Sequence, residues 1–295
     1  MIFVKVPATT ANMGPGFDCL GMALGLYNVV GFEETGDCLD IIGCINKYRN
    51  ENNLAYIGYK ETLNSRGIDV PVGLKIDISG NVPISRGLGS SATLIVAGIA
   101  AANEIHRLGL SKDDMLLIAN SIEGHPDNVA PAIYGGMTAS VVTEIGPIVM
   151  HYPVSESVRF TALVPDFETS TEEARALLPK TIERTDAVYT VGRLAILLKA
   201  LETGDMEALS SALDDRLHQP YRKKLIPGFD EVRETSLKMG AAGLVISGSG
   251  STLLAVGGDE TFAGRMEEHV AFIPGGWKVL ALDVDKNGTC VLEEK

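Results

Sequence analysis

Short β-branched and apolar runs alternate with longer stretches of helical period along this chain of 295 residues. Ile2 to Val6, Tyr27 to Glu33, Leu39 to Gly43 and Val72 to Ile78 predict strands, and Leu54 to Ser65, Ser90 to Leu108 and Ser111 to Glu123 predict helices. Strand character resumes from Gly135 to Val142 and again at Arg159 to Val164. Helices are predicted around Thr171 to Leu178, Ala187 to Leu201, Met206 to Asp214 and Gly228 to Met239. Strands at Gly243 to Ser247 and Thr252 to Val256, a helix near Thr261 to Val270 and a strand at Trp277 to Leu282 complete the pattern. It reads as two α+β domains, 1–150 and 151–295, with no internal repeat and no low-complexity tail.

Between the strand ending near Ile78 and the helix beginning at Ser90 lies Pro83-Ile84-Ser85-Arg86-Gly87-Leu88-Gly89-Ser90-Ser91-Ala92. Gly87 and Gly89 can take backbone angles closed to other residues and let an anion approach the main chain. Ser90 and Ser91 bring hydroxyls to a helix start whose first amides are unpaired and where the helix dipole adds partial positive charge. The segment is a phosphate site or, in the plainer reading, a turn that caps a buried helix. Gly87-x-Gly89-x-x-Ala92 also fits the dinucleotide fingerprint, but that motif wants a strand directly before it and another after its helix. Here a turn containing Gly80, Asn81 and Pro83 intervenes, and the helix runs into Leu108-Gly109-Leu110-Ser111 and a second helix. The phosphate loop with an invariant lysine is absent from the sequence.

At 45% hydrophobic content the chain is long enough for a full core. No apolar run reaches the roughly 18 to 20 residues of a membrane span, and Met1 to Pro7 reads as a strand, not a signal peptide, so a cytoplasmic location is expected. Cys19, Cys38, Cys44 and Cys290 form no Cys-x-x-Cys pair, which predicts reduced, mostly buried thiols. A net charge of −13, from 38 acids and 25 bases, argues against a nucleic-acid surface. An anionic substrate must therefore meet local positive charge: a helix N-terminus, a divalent cation or individual arginines.

Two further glycine-rich segments sharpen the picture. Pro7-Ala8-Thr9-Thr10-Ala11-Asn12-Met13-Gly14-Pro15-Gly16-Phe17-Asp18 follows a strand and has the composition of a pocket-lining loop or of a tight turn capped by Asn12 and Asp18. Ile246-Ser247-Gly248-Ser249-Gly250-Ser251-Thr252 joins two apolar strands and is long and hydroxyl-rich for a hairpin turn. Three such segments in this order resemble the GHMP kinase superfamily of galacto-, homoserine, mevalonate and phosphomevalonate kinases. Pro7 to Asn12 with Gly16-Phe17-Asp18, His125-Pro126-Asp127-Asn128-Val129-Ala130-Pro131-Ala132, and His218-Gln219-Pro220-Tyr221-Arg222 with Leu225-Ile226-Pro227-Gly228 are most similar to its homoserine kinase branch. The resemblance spans almost the whole chain.

The resemblance implies an N-terminal domain like the second domain of ribosomal protein S5 and a C-terminal ferredoxin-like domain, with ATP and acceptor between them. It implies that Pro83, Ile84, Ser85, Arg86, Gly87, Leu88, Gly89, Ser90, Ser91 and Ala92 wrap the nucleotide phosphates. Asn53 matches an asparagine near the adenine, with a helix-cap role as its other reading. Ser91 and Glu123 match the hydroxyl and carboxylate that hold Mg2+. A lysine found in some relatives just before Pro83 is replaced here by Gly80-Asn81-Val82.

For the acceptor, Asn12, Asp18 and Asn128 match positions that contact homoserine, and Arg175 and Arg222 match arginines that hold its carboxylate through two-pronged contacts. Asn128 is expected to orient the acceptor, Asp127 to be a supporting carboxylate, and Thr171 to lie near the transferring phosphoryl group, with positioning and charge stabilisation in place of a dedicated base. The implied activity is ATP-dependent phosphorylation of the side-chain hydroxyl of L-homoserine to O-phospho-L-homoserine, on the route to threonine, by a homodimer. A kinase for another small alcohol, of mevalonate or shikimate type, and a silent ligand-binding protein are the alternatives.

Overall fold

The computed structural model describes residues 1–292. The first part of the chain contributes strands β1 (Ile2–Asn12), β2 (Gly16–Thr35), β3 (Asp40–Ile42), β4 (Gly73–Gly80), β5 (Met137–Thr143) and β6 (Gly146–Tyr152). Its helices are α1 (Leu54–Ser65), α2 (Ser90–Ile105), α3 (Lys112–Glu123) and α4 (Pro126–Tyr134). The second part runs β7 (Phe160–Val164), α5 (Thr171–Ala176), α6 (Arg184–Thr203), α7 (Met206–Ala212), α8 (Gln219–Arg222), α9 (Phe229–Lys238), β8 (Ala241–Ile246), β9 (Leu253–Gly257), α10 (Phe262–Val270), β10 (Lys278–Leu282) and β11 (Cys290–Leu292).

Two mixed α/β units result. In the first, β1, β2 and β4 form the centre of a seven-stranded sheet, with β3 at one side and β5 and β6 branching from β2. In the second, β7 to β10 form an antiparallel sheet in the spatial order β10-β7-β9-β8, the split βαβ arrangement of a ferredoxin-like domain. The chain then returns: β11 pairs antiparallel with β1, Val4 opposite Val291.

Local chemistry sets several helix ends. Ser111 and Asp114 make a reciprocal capping box at α3, and Pro126 opens α4 at a position where a missing N–H costs nothing. Gly89, in the left-handed region at φ 65°, stands at the start of α2. α4 is absent from the sequence-based expectation because Pro131 lies inside it and its first turn is the polar Pro126-Asp127-Asn128. The Pro7–Asp18 segment is also more regular than expected, since β1 runs on to Asn12 and β2 starts at Gly16. Every residue from Val6 to Gly16 is buried, so both faces are covered and no in/out alternation marks the strands. The cysteines depart from expectation as well: Cys38 and Cys290 are exposed, Cys19 and Cys44 half-buried, and all four are free thiols.

The two units share a core. One cluster joins Val4, Val30, Phe32 and Ile76 of the large sheet to α1 through α4. A second joins Ala8, Met13, Leu20, Met22 and Leu24 to Phe160, Ala162, Leu197, Leu209, Val245 and Leu254 of the second unit. The β1–β2 register shifts between Pro7 and Ala8, where the hairpin passes from one core to the other. Anything built at this seam is held by packing from both sides.

Within the first core, α1 and α2 touch backbone to backbone. A Cβ on Gly98 would sit 2.1 Å from the Ala55 carbonyl oxygen and 2.6 Å from the Tyr59 amide nitrogen. We expect Gly98→Ala to destabilise by at least about 1–3 kcal/mol, the cost of forcing helices apart in a packed core. Gly192→Ala, in α6 with nothing within 4 Å of the new methyl, should instead stabilise by about 1 kcal/mol through helix propensity. Urea denaturation of the two variants checks the contrast, and equal stabilities would contradict it.

Candidate active site

A cavity of about 880 Å3 lies between the units, running from α1 past the start of α2 to α5 and the β8–β9 connection. Its wall brings together Asn53, Ile84, Ser85, Arg86, Gly87, Gly89, Ser90 and Ser91 with Asn12, Asp18, Glu123, Asp127, Asn128, Thr171, Arg175 and Arg222. Pro83, Leu88 and Ala92 are not on that wall, and Leu88 and Ala92 are fully buried core residues.

The glycine loop is fixed from both units. The Thr9 amide donates to the Leu88 carbonyl (3.1 Å) and the Thr252 amide to the Arg86 carbonyl (3.0 Å), while Ser247 Oγ lies 2.6 Å from the Gly87 carbonyl oxygen. Only glycine fits at position 89: its φ is 65°, and a Cβ there would fall 1.9 Å from Thr9 Oγ1. Ser90 and Ser91, whose amides open α2 with no side-chain cap, line the cavity at this turn.

Arg86 borders the cavity with its guanidinium engaged by neighbouring main chain. Its guanidinium donates to the carbonyls of Pro165 (2.9 Å), Ile84 (2.8 Å) and Asp166 (2.6 Å), and pairs with Glu168 at 3.4 Å, so it ties the loop to the second unit. Asn53 is similarly engaged: Oδ1 caps α1 by accepting from the Ala55 amide, and Nδ2 donates to the Tyr48 carbonyl. Its helix-cap role is thus occupied while the residue also borders the cavity.

Next to the α2 start, Ser91 Oγ donates to Glu123 Oε1 at 2.7 Å. Burial raises the Glu123 pKa, opposed by that hydrogen bond and by His125. Asp127, 3% exposed, meets His125 Nδ1 at 2.9 Å, and this contact holds the His125 pKa above the ordinary imidazole value. Asn128 accepts from Thr9 Oγ1 at 2.9 Å, and its amide nitrogen approaches Asp127 at 3.4 Å. Thr171 Oγ1 lies 3.1 Å from Ser249 Oγ.

At the far end, Arg175 grips Asp18 with two parallel hydrogen bonds of 3.0 and 2.9 Å, joining α5 to the β1–β2 hairpin. Arg222 is 2% exposed; Nη1 donates to the Gly248 carbonyl at 3.0 Å, whereas its buried Nε has no hydrogen-bond partner. Asn12, at φ 71°, donates to the same carbonyl (2.8 Å) and accepts from the Asp18 amide (2.9 Å), so both ends of its side chain shape the loop.

Several residues that matter here were not among the expected ones. His125, Thr9, Gly248 and Ser249 make the contacts just described; all four sit inside the glycine-rich or homoserine-kinase-like segments, but only His125 and Thr9 lie within a turn of an expected site residue. Their signal is membership of these segments; what the sequence lacks is the partner, since apart from the local His125–Asp127 pair their contacts span 26 to 236 positions.

A two-unit fold with a glycine turn at a helix start, a hydroxyl–carboxylate pair beside it and opposite charges lining the same cavity is the layout of a small-molecule kinase. Two family models match it: "GHMP kinases N terminal domain" over residues 53–136 and "GHMP kinases C terminal" over residues 197–271. The chain belongs to the GHMP kinase family. A homoserine kinase of Clostridium botulinum (strain Okra / Type B1) is 44% identical over 297 residues, covering 100% of both chains. One from Clostridium beijerinckii is 43% identical over 99% of each. The crystal structure of homoserine kinase from Cytophaga hutchinsonii superposes with a TM-score of 0.87 at 31% identity, covering 99% of this chain and 97% of that one. Within the family, this chain belongs with the homoserine kinases. The fold extends further, to L. major mevalonate kinase in complex with R-mevalonate (TM-score 0.75, 16% identity, 96% and 95% covered).

His218 borders this region from the interior. It is fully buried, and Nε2 lies 2.9 Å from the Gly14 carbonyl, which can only accept, so that nitrogen carries the proton. Burial lowers its pKa, against the opposing field of Asp215. In the unfolded chain the same imidazole titrates near about 6.5. A folded pKa below that value means its contribution to stability is complete above about pH 6.5 and is lost as pH falls beneath it. We expect the urea midpoint of the wild-type protein to fall more steeply than that of His218→Gln as pH is lowered from about 7.5 to 5. Parallel pH profiles would contradict this.

Proposed function

We propose that the chain catalyses ATP-dependent phosphorylation of the side-chain hydroxyl of L-homoserine to O-phospho-L-homoserine, in threonine biosynthesis. The observation that carries this reading is the charge arrangement at the acceptor end: a buried Arg222 with an unpartnered Nε beside the Asp18–Arg175 pair. An α-amino acid offers a carboxylate to the guanidinium groups and an ammonium to Asp18, so inserting it exchanges one salt bridge for two. A mevalonate-type acid has no ammonium and would leave Asp18 facing a carboxylate. A catalytically silent binding protein has no need of a hydroxyl and a carboxylate beside the phosphate turn.

In this reading the α2 start holds the triphosphate through main-chain amides and the Ser90 hydroxyl. Ser91 and Glu123 suit Mg2+: both donors are hard oxygens, they already lie 2.7 Å apart, and burial disfavours the free carboxylate and so favours its pairing with a cation. Bound there, the ion would neutralise phosphate charge. Asn128, fixed by Thr9, would orient the acceptor hydroxyl, and Thr171, which lines the same cavity with Ser249, would stand near the transferring phosphoryl group. Asp127 is committed to His125 and supports Asn128, so the hydroxyl is delivered by positioning rather than by a dedicated base. A cytoplasmic location and a homodimeric state belong to the same proposal; among the described residues no helix is long and apolar enough to cross a membrane.

ADP release measured across homoserine, serine, threonine, mevalonate and shikimate tests the reading, which requires homoserine to be the preferred acceptor. Arg175→Met should raise the KM for homoserine by about 10- to 100-fold, the scale of a lost charge-assisted hydrogen bond, with the KM for ATP little changed. For Asp127→Asn, a fall in kcat beyond about a thousandfold, the scale of essential proton transfer, would overturn the base-free chemistry.

A further inference from the structure

The loop from Asn12 to Asp18 carries three non-glycine residues in the left-handed region, Asn12 (φ 71°), Met13 (φ 45°) and Asp18 (φ 51°). Each costs of order 1 kcal/mol or more and persists only where surrounding contacts over-determine it. Asn12 supplies two of those contacts, and the third comes from His218, whose Nε2–H donates to the Gly14 carbonyl at 2.9 Å.

His218 also reaches the other acceptor-end charge. Its ring stacks on Phe17 with centroids 5.1 Å apart and planes at 22°, and the Arg222 guanidinium lies 5.0 Å from the centroid of the same Phe17 ring. Its own carbonyl accepts from the Arg222 amide at 3.0 Å, opening the turn that carries Arg222. That turn is anchored in its place: Asp215 accepts from the amides of Leu217, His218 and Gln219, and Gln219 Oε1 accepts from the Ile246 amide of β8. One buried imidazole therefore bonds the loop that ends in Asp18, belongs by main chain to the turn that ends in Arg222, and stacks on the ring between them.

We propose that His218 is a positioning residue for the acceptor: its hydrogen bond to Gly14 and its stack on Phe17 set the Asn12–Asp18 loop against the Arg222 turn, fixing the spacing of the two charges that receive the amino acid. It touches no reacting atom and lies outside the nucleotide end of the cavity, so its effect is confined to the acceptor. The inference rests on the proposed acceptor site.

The test compares His218→Gln, whose amide N–H can still reach Gly14, with His218→Leu, which fills the space without a donor, in steady-state assays varying homoserine and ATP separately. His218→Leu should raise the KM for homoserine about tenfold or more and leave that for ATP within about twofold, while His218→Gln stays within about threefold for both. Phe17→Leu, at a half-buried site, should reproduce the homoserine defect without disturbing the core. An unchanged homoserine KM in His218→Leu or in Phe17→Leu overturns the proposal, as does an equal rise in both KM values. If His218→Leu does not fold, as judged by circular dichroism, Phe17→Leu alone decides. Wild-type protein without homoserine-dependent ADP release would instead overturn the reading of the substrate, a result distinct from either variant outcome.

Discussion

Main-chain hydrogen bonding among three glycine-rich segments is the constraint on which the rest of this molecule depends. The first strand meets the phosphate turn through Thr9 and Leu88, the β8–β9 connection meets the turn through Thr252 and Arg86, and the same connection meets the end of the first strand through Gly248 and Ala11. Each bond joins positions far apart in sequence, and each is backbone to backbone, so side-chain identity enters mainly by permitting the approach. A Cβ on Gly87 would lie 2.2 Å from the Ser247 carbonyl oxygen. The glycines are therefore as much about bringing three chains together as about admitting an anion.

Because the triangle is closed by elements from both units, the acceptor end inherits its geometry. Gly248 donates its amide to Ala11 and receives Asn12 and Arg222 at its carbonyl. Asp18 comes from the first unit, Arg175 and Arg222 from the second, and the shared core beneath them keeps the units from sliding. In the proposed acceptor site, opposite charges held this way would suit a zwitterion: the two guanidinium groups repel, and burial of Arg222 makes that repulsion count, so a carboxylate between them would relieve a real cost. Arg222 in the interior is hard to explain as a stabilising feature of the fold and easy to explain as half of a binding site.

Much of this was legible in the sequence for a physical reason. Helices α1, α2 and α3 announce themselves through period and caps, with Leu54 to Ser65 recovered to the residue, and the phosphate turn through glycine and serine at a helix start. The class of enzyme was readable only because three such segments occur in order; none of them sufficed singly. What stayed hidden was non-local. The extension of β1 to Asn12 is invisible because both faces are buried, α4 because Pro126 and Pro131 resemble loop punctuation, and β11 because three residues pairing across almost the whole chain leave no periodic signal. For the site, residue types were readable but engagements were not: nothing in the sequence says that Arg86 spends its donors on the carbonyls of Pro165 and Asp166, or that Asn12 shapes a loop with both ends of its amide.

Strain ties these threads together. Of the five non-glycine residues with positive φ among the described residues, four fall in the segments that build the site: Asn12, Met13, Asp18 and Ser85. The bonds that offset this strain cross between the units: Asn12 to Gly248, Gly14 to His218, and Ser85, whose carbonyl accepts from the Thr169 amide. The Asp18 amide, bonded to Asn12 within the first unit, adds a local contribution, while these other partners lie across the seam. The site is therefore a product of docking rather than a feature of either domain, and its geometry is set by the same contacts that join them. In the proposed acceptor site, residues far from any reacting atom, His218 among them, would share in placing the acceptor through these same contacts.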